Sequence, residues 1–82
     1  MSMWIKSWDG NFIVNTDRIV DISVLPYGEI SFIIMAYVEY DNNLDNTVII
    51  GKYETQSRAI EVLEMIYNHL EHGFRTFSLP EE

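Results

Sequence analysis

The chain has 82 residues, and thirteen Asp and Glu against five Lys and Arg give it a formal net charge of -8. An apolar fraction of 48% is too high for an intrinsically disordered chain, and the length is too short for two ordinary domains, so one domain spanning residues 1–82 is predicted. The absence of cysteine excludes disulfide bonds and thiolate metal ligands.

The N-terminal segment predicts a β-hairpin. Asp9-Gly10 lies between two apolar runs, and this dipeptide is typical of a two-residue type I′ turn, because its two central residues need positive φ angles. Such a turn fixes the pairing register and places Ile5 opposite Val14. Further along the chain, Pro26-Tyr27-Gly28 predicts a second tight turn after the third strand, since proline presets φ for a turn.

The longest predicted strand, residues 30–40, is apolar at both odd and even positions, as is typical of a strand covered on both faces. A stripe of aliphatic side chains at helical spacing then predicts an amphipathic helix over residues 56–72. The stripe consists of Ala59, Val62, Leu63, Ile66 and Leu70, widened by Ile60 and Tyr67. The predicted strands lie at about residues 3–8, 11–14, 18–25, 30–40 and 47–53, with residues 74–79 as the candidate for a short sixth strand.

Strands joined by tight turns and followed by one helix indicate an α+β fold. We expect an antiparallel five-stranded meander, curled or half-barrel in shape, packed by the C-terminal amphipathic helix. A curled sheet also leaves room for a small-molecule ligand on its concave side, an alternative that the sequence does not separate from a closed core.

Three segments of the chain are distinctive in combination: Met3-Trp4-Ile5-x-Ser7-x-Asp9-Gly10, Ile50-Gly51-Lys52-Tyr53-Glu54-Thr55 and Arg58-Ala59-x-x-Val62-Leu63. With them the chain resembles a set of short, uncharacterised proteins from Gram-positive bacteria and their phages. Those proteins open with a Trp-containing strand before an Asp-Gly-type turn, and a Gly-x-Tyr-x-Thr segment leads into their one C-terminal helix. The resemblance spans nearly the whole chain and supports the α+β class, but it implies no activity and no site residue.

The charge pattern argues against two classes of partner. Nucleic acids and anionic membranes are bound largely through clustered Lys and Arg, whereas the five cations here are dispersed among carboxylates. Neither nucleic acid nor a membrane is therefore expected as a partner. The longest apolar run, residues 32–38, is much shorter than the roughly 20 residues of a spanning helix. No secretory signal is recognised at the N-terminus, so a cytoplasmic protein is expected.

Two segments contain residue types that bind metals. His69 and His72 are three residues apart on the predicted helix, a spacing found in zinc sites, but a histidine near a helix C-terminus is also stabilised by the helix dipole. The loop from Asp41 to Asn46 is rich in oxygen ligands, but it lacks the Asp-x-Asp-x-Asp-Gly core and the distal Glu of an EF-hand. No metal ion and no cofactor are therefore predicted.

A catalytic constellation is not found. The sequence contains no cysteine nucleophile and no Gly-rich phosphate loop, and neither histidine lies near a Gly-flanked serine. The chain is therefore not expected to be an enzyme.

The aromatic residues and the two-sided strand predict self-association instead. Trp and Tyr are enriched at protein interfaces, and one helix covers only one face of the strand at residues 30–40. We therefore predict a non-enzymatic interaction module that forms a homo-oligomer, in the first instance a dimer, with Trp4, Trp8, Met35 and Tyr37 at its interface. The alternative is an acidic phage-type inhibitor whose charge mimics nucleic acid and which occupies a DNA-binding protein.

Overall fold

The computed structural model of the chain describes residues 3–39 and 46–82. Across these residues the predicted α+β class is confirmed, with one helix and six strands. The strands are β1 (Trp4–Lys6), β2 (Ile13–Asn15), β3 (Ile19–Tyr27), β4 (Ser31–Val38), β5 (Thr47–Tyr53) and β6 (Thr76–Ser78), and the helix α1 spans Gln56–Glu71. No helix within these ranges is long and apolar enough to cross a membrane.

The strands are arranged differently from the predicted five-stranded meander, which is not confirmed. In the described ranges they form two three-stranded sheets and no closed barrel: a large antiparallel sheet of β3, β4 and β5, and a small sheet in the order β2-β1-β6. The chain leaves the small sheet through a 3-10 turn, Thr16–Arg18, in which the Asn15 side chain accepts a hydrogen bond from the Asp17 amide. The sixth strand then pairs parallel to β1 and completes the small sheet.

The hydrophobic core lies on the inner face of the large sheet, beneath α1 and the small sheet. The central strand β4 contributes Ile34, Ala36 and Val38, none of which is more than 2% exposed. Beside them the same cluster includes residues from the small sheet and the helix: Ile5, Val14, Ala59, Val62 and Ile66. The helix begins at residue 56 as predicted, after the N-cap Thr55, whose side chain accepts a hydrogen bond from the Arg58 amide.

The β1–β2 hairpin has the predicted register but a different turn. The Gly10 amide donates to the Ser7 carbonyl at 3.0 Å, so the turn spans Ser7 to Gly10, and Gly10 adopts φ 74 at its end. The Trp8 amide points away from the hairpin and donates to the Ile50 carbonyl of β5 at 2.9 Å. This bond joins the hairpin to one edge of the large sheet.

Asp9 holds this turn together and makes its stability depend on pH. Its carboxylate accepts hydrogen bonds from the Ser7 hydroxyl at 2.6 Å and from the Asn11 amide at 3.1 Å. Together these bonds hold the pKa of Asp9 below its ordinary value of 3.8, and the bond from Ser7 has the largest effect. A carboxyl group whose pKa is lowered on folding stabilises the fold above pH 3.8 and loses that contribution as the pH falls through the folded pKa.

We therefore expect the thermal midpoint of the wild type to fall more steeply than that of Asp9→Asn as the pH drops from about 5 to about 3. The asparagine does not titrate, so it isolates the contribution of this one carboxylate from that of the other acidic residues. Circular dichroism melts of both proteins at matched pH values measure the difference. Parallel pH profiles would show that Asp9 contributes nothing.

Candidate interaction surface

The outer face of the large sheet is the face opposite the helix, and it carries one well-buried side chain. Ile33 of β4 is 2% exposed, yet it lies outside the core cluster on the inner face. Its cross-strand neighbours are Leu25 on β3 and Lys52 on β5. The Lys52 ammonium group lies 5.1 Å from the ring centroid of Tyr27, which projects from the same face. The sheet therefore covers Ile33 with its own side chains.

The four predicted interface residues lie on two different sheets. Met35 and Tyr37 project from the outer face of β4, where Tyr37 is 39% exposed. Trp4 lies on β1 in the small sheet and is 45% exposed. Trp8, in the hairpin loop, is partly buried against the core. The structure brings Met35 and Tyr37 together on β4 and places the two tryptophans elsewhere, in β1 and in the hairpin loop. The part of all four residues in an interface stays a prediction.

The edge strand β3 is where the core is least sealed. Among the described residues, β4 pairs with one side of β3 and no strand pairs with the other. The inward side chains Ile22 and Val24 of β3 are only half-buried, whereas their partners on β4, Ala36 and Ile34, are fully buried. The core is therefore closed at the centre of the sheet and open along β3.

The opposite edge of the sheet, at β5, is covered by the chain itself. The Tyr53 hydroxyl donates to the Pro80 carbonyl at 2.8 Å, and burial raises the pKa of Tyr53 to about 12. Leu79 lies so close to Gly51 that an added Cβ there would come within 2.9 Å of a Leu79 methyl group. The C-terminal segment and the hairpin thus protect β5, while β3 lacks a comparable cover in the described ranges.

Two flanks of α1 have different surroundings. On one flank, the His69 ring lies 4.4 Å from the Phe77 ring of β6, and Arg58 donates to the main-chain oxygen of Glu82. That flank faces β6 and the C-terminal segment, which also lies against β5 through Tyr53. Because α1 packs across all three strands of the large sheet, its other flank lies towards β3.

The flank of α1 towards β3 carries a second apolar stripe. It consists of Ile60, Leu63, Tyr67 and Leu70, at spacings of three and four residues. Ile60 is 42% exposed and Tyr67 is 61% exposed. Of the five residues of the predicted stripe, Ala59, Val62 and Ile66 face the core, Leu63 is half-buried, and Leu70 is 39% exposed.

These two elements define the open β3 surface, made of Ile22, Val24 and Leu25 from β3 and Ile60, Leu63 and Tyr67 from α1. In a chain of net charge -8, β3 itself contains one ionisable acid, Asp21. On α1, the exposed Glu64 lies beside Leu63 and Tyr67. The surface is therefore an apolar strip bordered by carboxylates, and exposed apolar strips are typical of protein interaction sites.

Sequence reasoning missed this surface, although one residue signals it. The sequence pattern predicts a turn at Pro26 after the third strand, whereas β3 continues to Tyr27 and includes Pro26. A proline within a strand is almost confined to edge strands, because it cannot donate a hydrogen bond to a neighbour. Pro26 inside an otherwise apolar strand would therefore have indicated that β3 lies at the edge of its sheet.

Each of the two histidines bonds to its own helix. Nδ1 of His69 lies 2.8 Å from the Met65 carbonyl, and Nδ1 of His72 lies 2.8 Å from the Asn68 carbonyl. In the part of the chain that the structure describes, no three His, Asp or Glu side chains are close enough to hold a metal ion. Most of the loop from Asp41 to Asn46, considered above for calcium, lies outside the described residues.

No protein-family model, curated protein or solved structure matches this chain. The resemblance to short proteins of Gram-positive bacteria and their phages therefore stays a prediction from the sequence segments that suggested it. The chain is acidic and, over the residues that the structure describes, it has an α+β fold with an open sheet edge beside an exposed apolar helix flank.

Proposed function

We propose that the protein is a non-enzymatic interaction module that acts as a homodimer and associates through the open β3 surface. The observation that supports this is the half-buried state of Ile22 and Val24 beside the fully buried side chains of β4. Leaving apolar surface in water costs about 25 cal/mol per Å². A partner that covers β3 removes this cost and completes the core at the same time.

A second copy is the occupant that the surface favours. A two-fold interface needs a patch that is complementary to itself, and an apolar strip beside an unpaired strand edge meets this requirement. The acidic remainder of the molecule does not, because its carboxylates would repel those of the second copy. The strip thus brings fewer carboxylates together than the acidic remainder of the molecule would.

The size of the surface is consistent with a dimer. A stable interface hides about 800 Å² on each partner, which is about one seventh of the 5660 Å² that the chain exposes. The strand edge alone is too narrow for this area. The helix flank, on a 16-residue helix about 24 Å long, supplies a second layer of contact along the same side of the molecule.

The oligomeric state tests the proposal. Size-exclusion chromatography with light scattering, at a protein concentration of about 50 μM, should give twice the monomer mass of 9.6 kDa. A dilution series should then show dissociation into monomers. A particle of 9.6 kDa throughout the series would overturn the proposal.

The net charge of -8 supports a second proposal, in which the protein is an acidic phage-type inhibitor that mimics nucleic acid and occupies a basic DNA-binding protein. Salt separates the two proposals. Screening weakens attraction between opposite charges but relieves the repulsion between two acidic copies.

We expect the dissociation constant of the dimer to fall as NaCl is raised from about 20 mM to about 300 mM, because the apolar contact stays while the repulsion is screened. Sedimentation equilibrium at each salt concentration measures this constant. A dissociation constant that rises with salt would show that charge pairs hold the copies together, contrary to the proposed apolar surface. Binding to a basic partner that weakens steeply over the same range would support the charge mimic.

A further inference from the structure

Two interruptions bound the free edge of β3. Near its start, the register with β4 shifts between Ile19 and Asp21, which leaves Val20 as a β-bulge. Near its end, Pro26 has no amide hydrogen to donate. Between these two points, residues 21–25 keep a regular antiparallel register with β4. Ser23 is the midpoint of this regular stretch.

Pro26 also indicates which backbone groups point away from the sheet. A proline in an antiparallel edge strand directs its nitrogen to the open side, where no hydrogen bond is lost. Because outward and inward backbone groups alternate along a strand, Ile22 and Val24 share the outward direction with Pro26. Their amides and carbonyls form an unpaired row, while their side chains point towards the core.

We propose that two copies of this chain join by antiparallel pairing of their β3 strands about a two-fold axis at Ser23, which makes one continuous six-stranded sheet. This inference rests on the proposed function and specifies its geometry. Ile22 of each copy then lies opposite Val24 of the other, and the two pairs exchange four backbone hydrogen bonds. Ser23 faces Ser23 of the second copy as the non-hydrogen-bonded pair between them.

This register accommodates both interruptions and the one charge of the strand. The bulge at Val20 lies opposite Pro26 of the second copy, so both irregular positions fall outside the paired stretch. Asp21 faces Leu25 of the second copy, which keeps the two Asp21 carboxylates apart. Above the joined edge, the helix flanks with Ile60 and Tyr67 are brought towards each other, which covers their exposed side chains.

A single cysteine tests the register directly. The chain has no cysteine, so Ser23→Cys introduces one thiol per copy. Residues facing each other in a non-hydrogen-bonded antiparallel pair have Cα atoms about 4.5 Å apart, which is within the range of a disulfide. Ser57→Cys, on the exposed first turn of α1, is the matched control.

We expect mild oxidation to convert Ser23→Cys to a disulfide-linked dimer at least about tenfold faster than Ser57→Cys, because association raises the effective concentration of the facing thiols. Both variants in denaturant should oxidise at the same rate, which controls for intrinsic thiol reactivity. Circular dichroism verifies that each variant is folded before oxidation.

The outcomes separate this inference from the proposed function. If light scattering shows a dimer but Ser23→Cys cross-links no faster than Ser57→Cys, pairing at Ser23 is wrong and self-association stands. If both the wild type and the oxidised variant remain monomers, both proposals fail. Hydrogen exchange of the wild type supplies a measurement without substitution: the amides of Ile22 and Val24 should become protected as the dimer forms, and rapid exchange in the dimer would overturn the strand pairing.

Discussion

Replacing Ile60 with Glu should dissociate the dimer while leaving the monomer folded. Ile60 is 42% exposed in the single chain and lies on the flank of α1 that faces β3. The substitution removes an apolar contact and places a carboxylate in the interface, twice in each symmetric dimer. If each of the two substituted side chains weakens the binding free energy by about 1.4 kcal/mol, the dissociation constant should rise about 100-fold. Glutamate favours helix, so the thermal midpoint of the monomer should change little.

Ile13→Glu is the matched control for this experiment. Ile13 is 57% exposed on β2, in the small sheet, and the same substitution there adds the same charge. We expect its dimer to retain nearly the affinity of the wild type when both variants are measured by sedimentation at the same salt concentration. Equal weakening by the two substitutions would mean that total charge, and not the helix flank, controls association.

Replacing Ile34 with Ala should produce the largest loss of folding stability, at about 3 kcal/mol. Ile34 is fully buried at the centre of β4 and belongs to the cluster between the large sheet, α1 and the small sheet. Truncation of a side chain in such a site loses its transfer free energy and leaves a cavity that the surrounding elements fill only in part. Urea unfolding of the monomeric Ile60→Glu background measures this loss without a contribution from association.

Ile33→Ala is a matched control, because it is the same substitution at the next residue of the same strand. Ile33 is 2% exposed, but it lies on the outer face, where neighbouring side chains such as Lys52 are free to move into the space. We expect its loss of stability to be smaller than that of Ile34→Ala by at least about 1 kcal/mol. Equal losses would contradict the placement of the core on the inner face alone.

Both experiments depend on how the apolar residues are divided among surfaces. The prediction of self-association started from a strand that is apolar on both faces, and the structure places Met35 and Tyr37 on the outer face as that pattern implies. It also shows that the outer face partly covers itself at Ile33. The edge at β3, with its half-buried inward side chains, is the more exposed part of the core.

Local features of the fold could be predicted from the amino-acid sequence. The hairpin register at Ile5 and Val14 and the helix start at residue 56 both agree with the structure. Each depends on side-chain periodicity or on a capping residue within a few positions along the chain, so the sequence contains the necessary information. The predicted type of the hairpin turn was wrong. The Trp8 amide bonds to Ile50 of β5, which lies more than forty residues later in the chain, so the turn is shaped by a distant contact.

The arrangement of the strands and the direction of the helix depend on contacts between distant parts of the chain. The small sheet is completed by β6, which pairs with β1 from the other end of the chain, a contact that no local pattern signals. The helix is apolar over a wide arc, so periodicity alone did not distinguish the Ala59 side, which meets the core, from the Tyr67 side, which stays exposed. That choice depends on where the small sheet packs, and it is what leaves the open β3 surface exposed in the single chain.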